Sequence, residues 1–198
     1  DDHGVAFSAP EGSGALTLVE LGWAPGDPTE QPGLPGRYAA PRATDGARAV
    51  VKLGGYWDTE DLPRFKEAGE DVVSDFWGLY LMGQVPVWTN AERSSENLSV
   101  WGAVSYAPPD RNRIELMAVA GALYQGFFAR RPGDGLAFTV AYGSYTHRLE
   151  DRTGELVLDL NYRFAISPWL WIEPDVQGVI QPSGMSNIPD ALVPGVAV

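Results

Sequence analysis

Residues 156–181 constrain the fold most strongly, because apolar and polar side chains alternate there. From Leu156 to Ile166 every even-numbered residue is apolar or aromatic, and the odd-numbered ones include Asp159, Asn161 and Arg163. A period of two residues indicates a β-strand, in which successive side chains point to opposite faces. Runs of about 10 to 13 residues exceed the usual strand of about five or six. Because a tilted strand of about 9 to 11 residues crosses a bilayer, the pattern predicts strands with lipid on one face and water on the other.

The composition limits the class of protein. Alternating runs separated by turn-forming residues, among 23 Gly and 16 Pro in 198 residues, favour an all-β protein. The chain has no cysteine, which excludes disulfide and thiolate chemistry. Its formal net charge of -12 argues against nucleic acid as a partner and against a polybasic role at a membrane surface. No apolar run is long enough to predict a transmembrane helix.

The alternation predicts nine strands without a domain linker between them. Residues 24–46 are rich in Pro and Gly and read as a long connection. Residues 58–75 contain the one helical candidate, a turn from Arg64 to Ala68 capped by Asp58 or Thr59, with an irregular loop as the alternative. The predicted strands are 14–23, 47–57, 76–88, 98–107, 114–126, 135–146, 155–166, 170–181 and 191–198.

Aromatic residues tend to lie near the ends of these strands. Such positions suit the two aromatic girdles of a membrane-spanning barrel, although aromatic residues also favour strands in general. The residues in question are Trp23, Trp57, Trp77, Trp88, Tyr106, Tyr124, Tyr142, Tyr162 and Trp169.

Five blocks of the sequence together cover most of residues 14–198. They are KLGGYWDTEDLP (52–63), GLYLMGQVPVW (78–88), VWGAVSYAPPDRNRIELMAVAGALYQG (100–126), RPGDGLAFTVAY (131–142) and LNYRFAISPWLWIEPDVQGVIQPSG (160–184). In their order and spacing these blocks resemble one family, the carbohydrate-selective outer-membrane porins of the OprB type.

The resemblance implies an antiparallel transmembrane β-barrel of about 16 strands. It implies passive diffusion of glucose-like sugars across the bacterial outer membrane, with small sugars and outer-membrane lipid as partners, no cofactor and no enzymatic activity. The blocks resemble the C-terminal half of the family, and the last strand stops at Val198 without the usual terminal aromatic residue. We therefore expect residues 1–198 to form one porin domain of about nine strands, truncated at both ends. The family's constriction residues lie largely outside these blocks and are not transferred.

Two further expectations concern architecture. Unpaired sheet edges in lipid are costly, so nine strands alone do not make a finished pore. We therefore expect the chain to form an open, curved half-barrel with strands 14–23 and 191–198 as its edges. The alternative is an autonomous closed barrel of about eight to ten strands. Counting back from Val198 places residues 58–75, 108–112, 147–154 and 182–190 outside the cell, and residues 24–46, 89–97, 127–134 and 167–168 in the periplasm.

A sugar presents hydroxyl groups and apolar C–H faces, so a selective channel needs hydrogen-bonding side chains and aromatic surface. On the strand hairpin we expect Arg163 to pair with Asp175 or Glu173. The alternative is that all these side chains only solvate a pore wall. The predicted pore-lining residues are Lys52, Tyr56, Glu115, Asp159, Asn161, Arg163, Trp171, Glu173, Asp175 and Gln177.

Enzymatic and metal chemistry finds little support in the sequence. The two histidines are His3 and His147, and a lone loop histidine is usually only solvated. The acidic pairs at 60–61 and 70–71 suit a solvated face better than a weak Ca²⁺ site. Asp159 and Glu173 could form a hydrolase pair, but nothing selects them. The sequence thus predicts no metal and no catalytic residue. The remaining alternatives are a general porin, a lipid-processing barrel, and a soluble β-sandwich or barrel that binds a ligand.

Overall fold

The computed structural model describes residues 14–25, 49–60, 62–63, 72–73, 75–167 and 169–198. Within these residues regular structure is almost entirely β, with one short 3-10 turn at Pro182–Gly184. The strands are β1 Leu16–Trp23, β2 Val50–Asp58, β3 Leu62–Pro63, β4 Val72–Val73, β5 Phe76–Thr89, β6 Asn97–Tyr106, β7 Ile114–Gln125, β8 Gly135–Tyr145, β9 Gly154–Ser167, β10 Leu170–Ile180 and β11 Ala191–Ala197.

Nine of the strands form one sheet in the order β1-β2-β5-β6-β7-β8-β9-β10-β11. Every neighbouring pair is antiparallel, and β3 pairs with β4 in a separate ribbon. In the described part of the chain, β1 and β11 are edges and do not pair with each other. The predicted open sheet is therefore confirmed, and the closed small barrel would have required a ladder between these two strands.

The nine predicted strands all occur, and the largest difference at a strand end is in β2, which begins at Val50 where residue 47 was predicted. The helical candidate from Arg64 to Ala68 lies outside the described residues, as does most of the connection 24–46. The described parts of segment 58–75 include the short β3–β4 ribbon, which was not predicted. Strands of two residues are too short to leave a periodic signal in the sequence.

The register gives the sheet one apolar face. Leu160 lies directly opposite Phe138 on β8 and Val176 on β10, and opposed residues share a face. This face is open, since Leu160 is 45% and Phe138 is 47% exposed. Phe76 is the one hydrophobic side chain that is buried within the described residues. A soluble sandwich or lipocalin-like barrel needs apolar faces that meet in a shared core, so the structure contradicts those alternatives.

Eight of the nine predicted girdle aromatics lie within strands, and the register puts them on this apolar face. At one end of the sheet Trp57 faces Trp77, whose ring centroid lies 6.1 Å from that of Tyr106. At the other end the Trp88 and Tyr124 centroids are 6.2 Å apart. Rings at both ends of an exposed apolar surface are the arrangement expected where a barrel wall meets two lipid interfaces. The remaining one, Trp169, lies in the turn between β9 and β10 and is 78% exposed.

Candidate functional site

All ten predicted pore-lining residues lie on the face opposite Leu160. On β9 and β10, Asp159 lies opposite Gln177 and Asn161 lies opposite Asp175. Following opposed pairs from β9 through β8, β7, β6 and β5 carries the same face to Lys52 on β2. We call this the polar face. The residues placed on it are Lys52, Tyr56, Glu115, Asp159, Asn161, Arg163, Trp171, Glu173, Asp175 and Gln177.

The β9–β10 hairpin brings five of these side chains together. Arg163 Nε donates to Glu173 Oε2 over 2.9 Å, which confirms one of the two pairings predicted for this arginine. The Arg163 guanidinium also lies over the Trp171 ring, 5.4 Å from its centroid. Asn161 Nδ2 donates to Asp159 Oδ1 over 2.8 Å. The hairpin therefore offers a cation, carboxylates, an amide and an aromatic ring within one patch, all groups that can bind sugar hydroxyls or C–H faces.

A second polar cluster lies at the opposite side of the sheet, on β1, β2 and β5. Lys52 Nζ donates to Glu20 Oε1 over 2.8 Å, and the Tyr80 hydroxyl donates to Glu20 Oε2 over 2.7 Å. Sequence reasoning predicted Lys52 but not Glu20 or Tyr80. The available signal was that Glu20 is the only charged residue of β1. The two clusters stand about 25 Å apart along the sheet, five strand spacings.

Glu115 belongs to neither cluster. Ser144 Oγ donates to its Oε1 over 3.4 Å, and His147 Nδ1 lies 3.6 Å from its Oε2. The His147 side chain is 72% exposed, in keeping with the solvated loop histidine that was predicted. Glu115 is thus a separate acidic point near the β8–β9 loop.

The polar face also contains a row without any hydrogen-bonding side chain. We call it the apolar row, and its members pair directly across seven strands. The row separates Glu115 and Glu155 from Asp159 and Gln177. Its members are Met82, Ala103, Val119, Ala141, Val157, Val179 and Ala191.

Two turns at one end of the sheet are held by similar networks that sequence reasoning missed. In the β7–β8 turn, Asp134 is fully buried and accepts hydrogen bonds from Arg131, the Tyr162 hydroxyl at 2.6 Å and the Ala165 amide at 3.0 Å. In the β5–β6 turn, Glu96 is bound in the same way.

The partners of Glu96 repeat the pattern around Asp134. Glu96 accepts from Arg93, from Asn90 at 2.6 Å and from the Tyr124 hydroxyl at 2.7 Å. In both networks an arginine stands three residues before the acid, and a tyrosine stands 28 residues after it. That spacing is a signal in the sequence, and its chemistry is structural because it fixes each turn to a strand.

These partners lower the pKa of both carboxyl groups. Burial disfavours the ionised form of Asp134, but the hydrogen bonds from Arg131, Tyr162 and the Ala165 amide outweigh it and hold the pKa of Asp134 below its usual range. The hydrogen bond from Tyr124 is the main cause that lowers the pKa of Glu96, against the opposing effect of burial. Both acids are therefore charged at neutral pH.

The described residues contain no candidate metal site. No group of three or more His, Asp or Glu side chains among them could hold a metal ion. Of the acidic pairs, Asp61, Glu70 and Asp71 lie outside the described residues, as does His3. No helix in the described part of the chain is long and apolar enough to cross a membrane.

An open antiparallel sheet with one apolar face and one polar face has the architecture of a porin barrel wall. Comparison with solved structures supports this fold. The structure titled "High pH structure of Pseudomonas putida OprB" superposes with a TM-score of 0.77 at 19% identity, covering 93% of this chain and 48% of that one. Porin B of Pseudomonas aeruginosa is 24% identical over 224 residues, 99% of this chain and 47% of the relative. The chain therefore spans about half the length of the relatives it matches.

The family model described as "Carbohydrate-selective porin, OprB family" matches residues 1–198. The chain belongs to this family, which confirms the resemblance found in the sequence. The family consists of bacterial outer-membrane channel proteins, not enzymes, and this confirms the predicted class and location.

Proposed function

We propose that this chain forms part of the wall of an outer-membrane channel through which glucose-like sugars diffuse passively. The polar face would line the water-filled passage, and the apolar face would contact lipid. We further propose that residues 1–198 form a single domain, about half of a barrel of about 16 strands. The strands β1 and β11 would then pair with strands that complete the barrel, since unpaired edges are costly in lipid.

One observation carries the proposal. The described sheet buries one hydrophobic side chain, Phe76, while many large side chains of its apolar face are exposed and aromatic rings lie at both ends of that face. An exposed apolar surface with aromatic rings at both ends suits contact with the lipid of a bilayer. The opposite face combines Arg163, Glu173, Asn161 and Trp171, which match the hydroxyls and C–H faces of a sugar.

Liposome swelling with the full-length gene product tests the function. We expect glucose and related monosaccharides to enter faster than ions and zwitterions of similar size. Empty liposomes provide the control. Equal permeation of sugars and similarly sized ions would overturn sugar selectivity and favour a general porin.

A further inference from the structure

Two tyrosine rings on the polar face lie over glycines of the neighbouring strand. A Cβ added at Gly54 would lie 2.3 Å from Cζ of Tyr80, and one added at Gly78 would lie 2.4 Å from Cε1 of Tyr56. Gly54 is directly opposite Tyr80, and Tyr56 is directly opposite Gly78. Each ring therefore occupies the space that any other residue would fill with its side chain, and it rests against the backbone.

Trp101 repeats the arrangement on the next strands. A Cβ added at its directly opposed partner Gly121 would lie 2.7 Å from Cε2 and Cζ2 of the indole. All three side chains are half-buried, so each keeps part of its surface accessible in the described structure. Tyr56 and Tyr80 are diagonal neighbours, about 7–8 Å apart. Trp101 lies opposite Gln84, which is four residues after Tyr80 on β5. Trp101 is therefore about 13 Å from Tyr80 in the direction of the strands.

Hydrogen-bonding groups border these rings. Glu20 accepts from the Tyr80 hydroxyl at 2.7 Å and from Lys52 at 2.8 Å, so its carboxylate is fixed beside the ring. Gln84 lies directly opposite Trp101. A flat apolar surface bordered by fixed polar groups is the chemistry that recognises a pyranose, which has C–H faces and equatorial hydroxyls.

We infer that Tyr56, Tyr80 and Trp101 form a glycine-backed stacking track for pyranose rings on the polar face. This inference rests on the proposed sugar channel and adds to it two residues, Tyr80 and Trp101, that the sequence did not predict. The glycines leave room for the rings close to the wall, so that the rings can bind sugar without obstructing its passage. Binding to each ring alone is weak, as release from a channel requires.

The chain contains a matched control on its other face. The Tyr142 ring also covers a glycine, since a Cβ at Gly154 would lie 2.4 Å from its hydroxyl and 2.7 Å from its Cε2. Tyr142 lies opposite Leu156 on the apolar face. Replacing it removes a similar packing contact from the sheet, but no surface that a sugar in the channel could reach.

The test reconstitutes the full-length gene product in planar bilayers and measures the glucose concentration that gives half the maximal reduction of the potassium current. For Tyr80→Leu and Trp101→Leu we expect this concentration to rise about three- to tenfold each. For Tyr142→Leu we expect a value close to wild type. Should Tyr80→Leu fail to insert, Tyr80→Met still covers Gly54 with an apolar side chain and must show the same rise.

The outcomes separate the two claims. Leucine or methionine variants that conduct ions and respond to glucose as wild type does would overturn the track while leaving the sugar channel intact, because the rings would then only pack on glycine. A wild-type protein that shows no response to glucose and no preference for sugars would overturn both the channel and the track.

Discussion

Arg163 pairs with Glu173 because of a single irregularity in the hairpin. Ser167 pairs with Leu170, but the register then shifts, so that Ala165 pairs with Trp171. Without this shift Arg163 would face Pro174. The alternation in the sequence was enough to put Arg163 and the two candidate acids on one face, but not to choose between the acids. That choice depends on a β-bulge, which adds one residue without leaving a clear signal in the sequence.

Asp134 offers the sharpest prediction for a single residue. Asp134 is fully buried, and replacing it with Asn in the full-length protein removes the carboxylate that accepts from Arg131, Tyr162 and the Ala165 amide. We therefore expect Asp134→Asn to lower the free energy of unfolding by about 1–3 kcal/mol. Urea unfolding of the reconstituted protein measures this. Glu150→Gln, which changes an exposed acid of the β8–β9 loop, is the control and should have little effect. Equal midpoints for all three proteins would contradict the structural role of Asp134.

The same carboxyl predicts a dependence on pH. Because the folded protein lowers the pKa of Asp134, its contribution to stability is full above the ordinary carboxyl pKa of about 4 and is lost as the pH falls through the lower folded-state value. We expect the stability difference between wild type and Asp134→Asn to shrink on acidification in that range. Unfolding midpoints measured across the acidic range check this, and a difference that grew towards low pH would contradict the sign.

At the scale of the strands, period-two alternation found every long strand because one face of each is apolar and the other is polar. It could not find the register shifts, since each inserts one residue at a turn or near a proline, as at Pro86 between β5 and β6. It also missed the partnership of Glu20 with Lys52. The long connection 24–46 separates those strands, so no short turn sets their register.

The two faces of β9 predict opposite reactivities for neighbouring positions. Because the chain has no cysteine, single substitutions can be labelled without background. In the full-length protein in membranes, we expect Asp159→Cys and Asn161→Cys to react with a small water-soluble thiosulfonate much faster than Leu158→Cys and Leu160→Cys do. Labelling rates followed by mass spectrometry supply the measurement. Uniform rates along the strand, or the inverse alternation, would contradict the assignment of faces.

At the scale of the whole molecule, sheet order followed from the sequence because each long strand is joined to its neighbour by a hairpin or a longer antiparallel connection. The open state of the sheet also followed, because the matching blocks resemble only half of a longer barrel and nine strands do not make a finished pore. The networks around Asp134 and Glu96 could not be predicted from the sequence, since they join residues that are distant along the chain. They lie at the same end as the two-residue join between β9 and β10, which the short-turn rule assigns to the periplasm.

This assignment predicts a sidedness. In intact cells that carry the full-length protein, we expect a bulky maleimide that cannot cross the outer membrane to label Glu150→Cys, in the β8–β9 loop. We expect no label on Ala129→Cys, in the β7–β8 turn, until the outer membrane is opened. Both positions are exposed in the structure, so a gel-shift assay compares them directly. Labelling of Ala129→Cys alone in intact cells would reverse the orientation.

The apolar row bears on the kinetics of a channel of the proposed kind. A sugar that moves from Glu155 to Asp159 crosses the apolar row, whose seven members offer no side chain able to replace the lost hydrogen bonds. The hydroxyls of the sugar must stay hydrated over that stretch, so the sugar does not bind to the wall there. The rate of sugar transport would then depend on short-lived binding at separate sites with rapid diffusion between them, and not on the affinity of any single site.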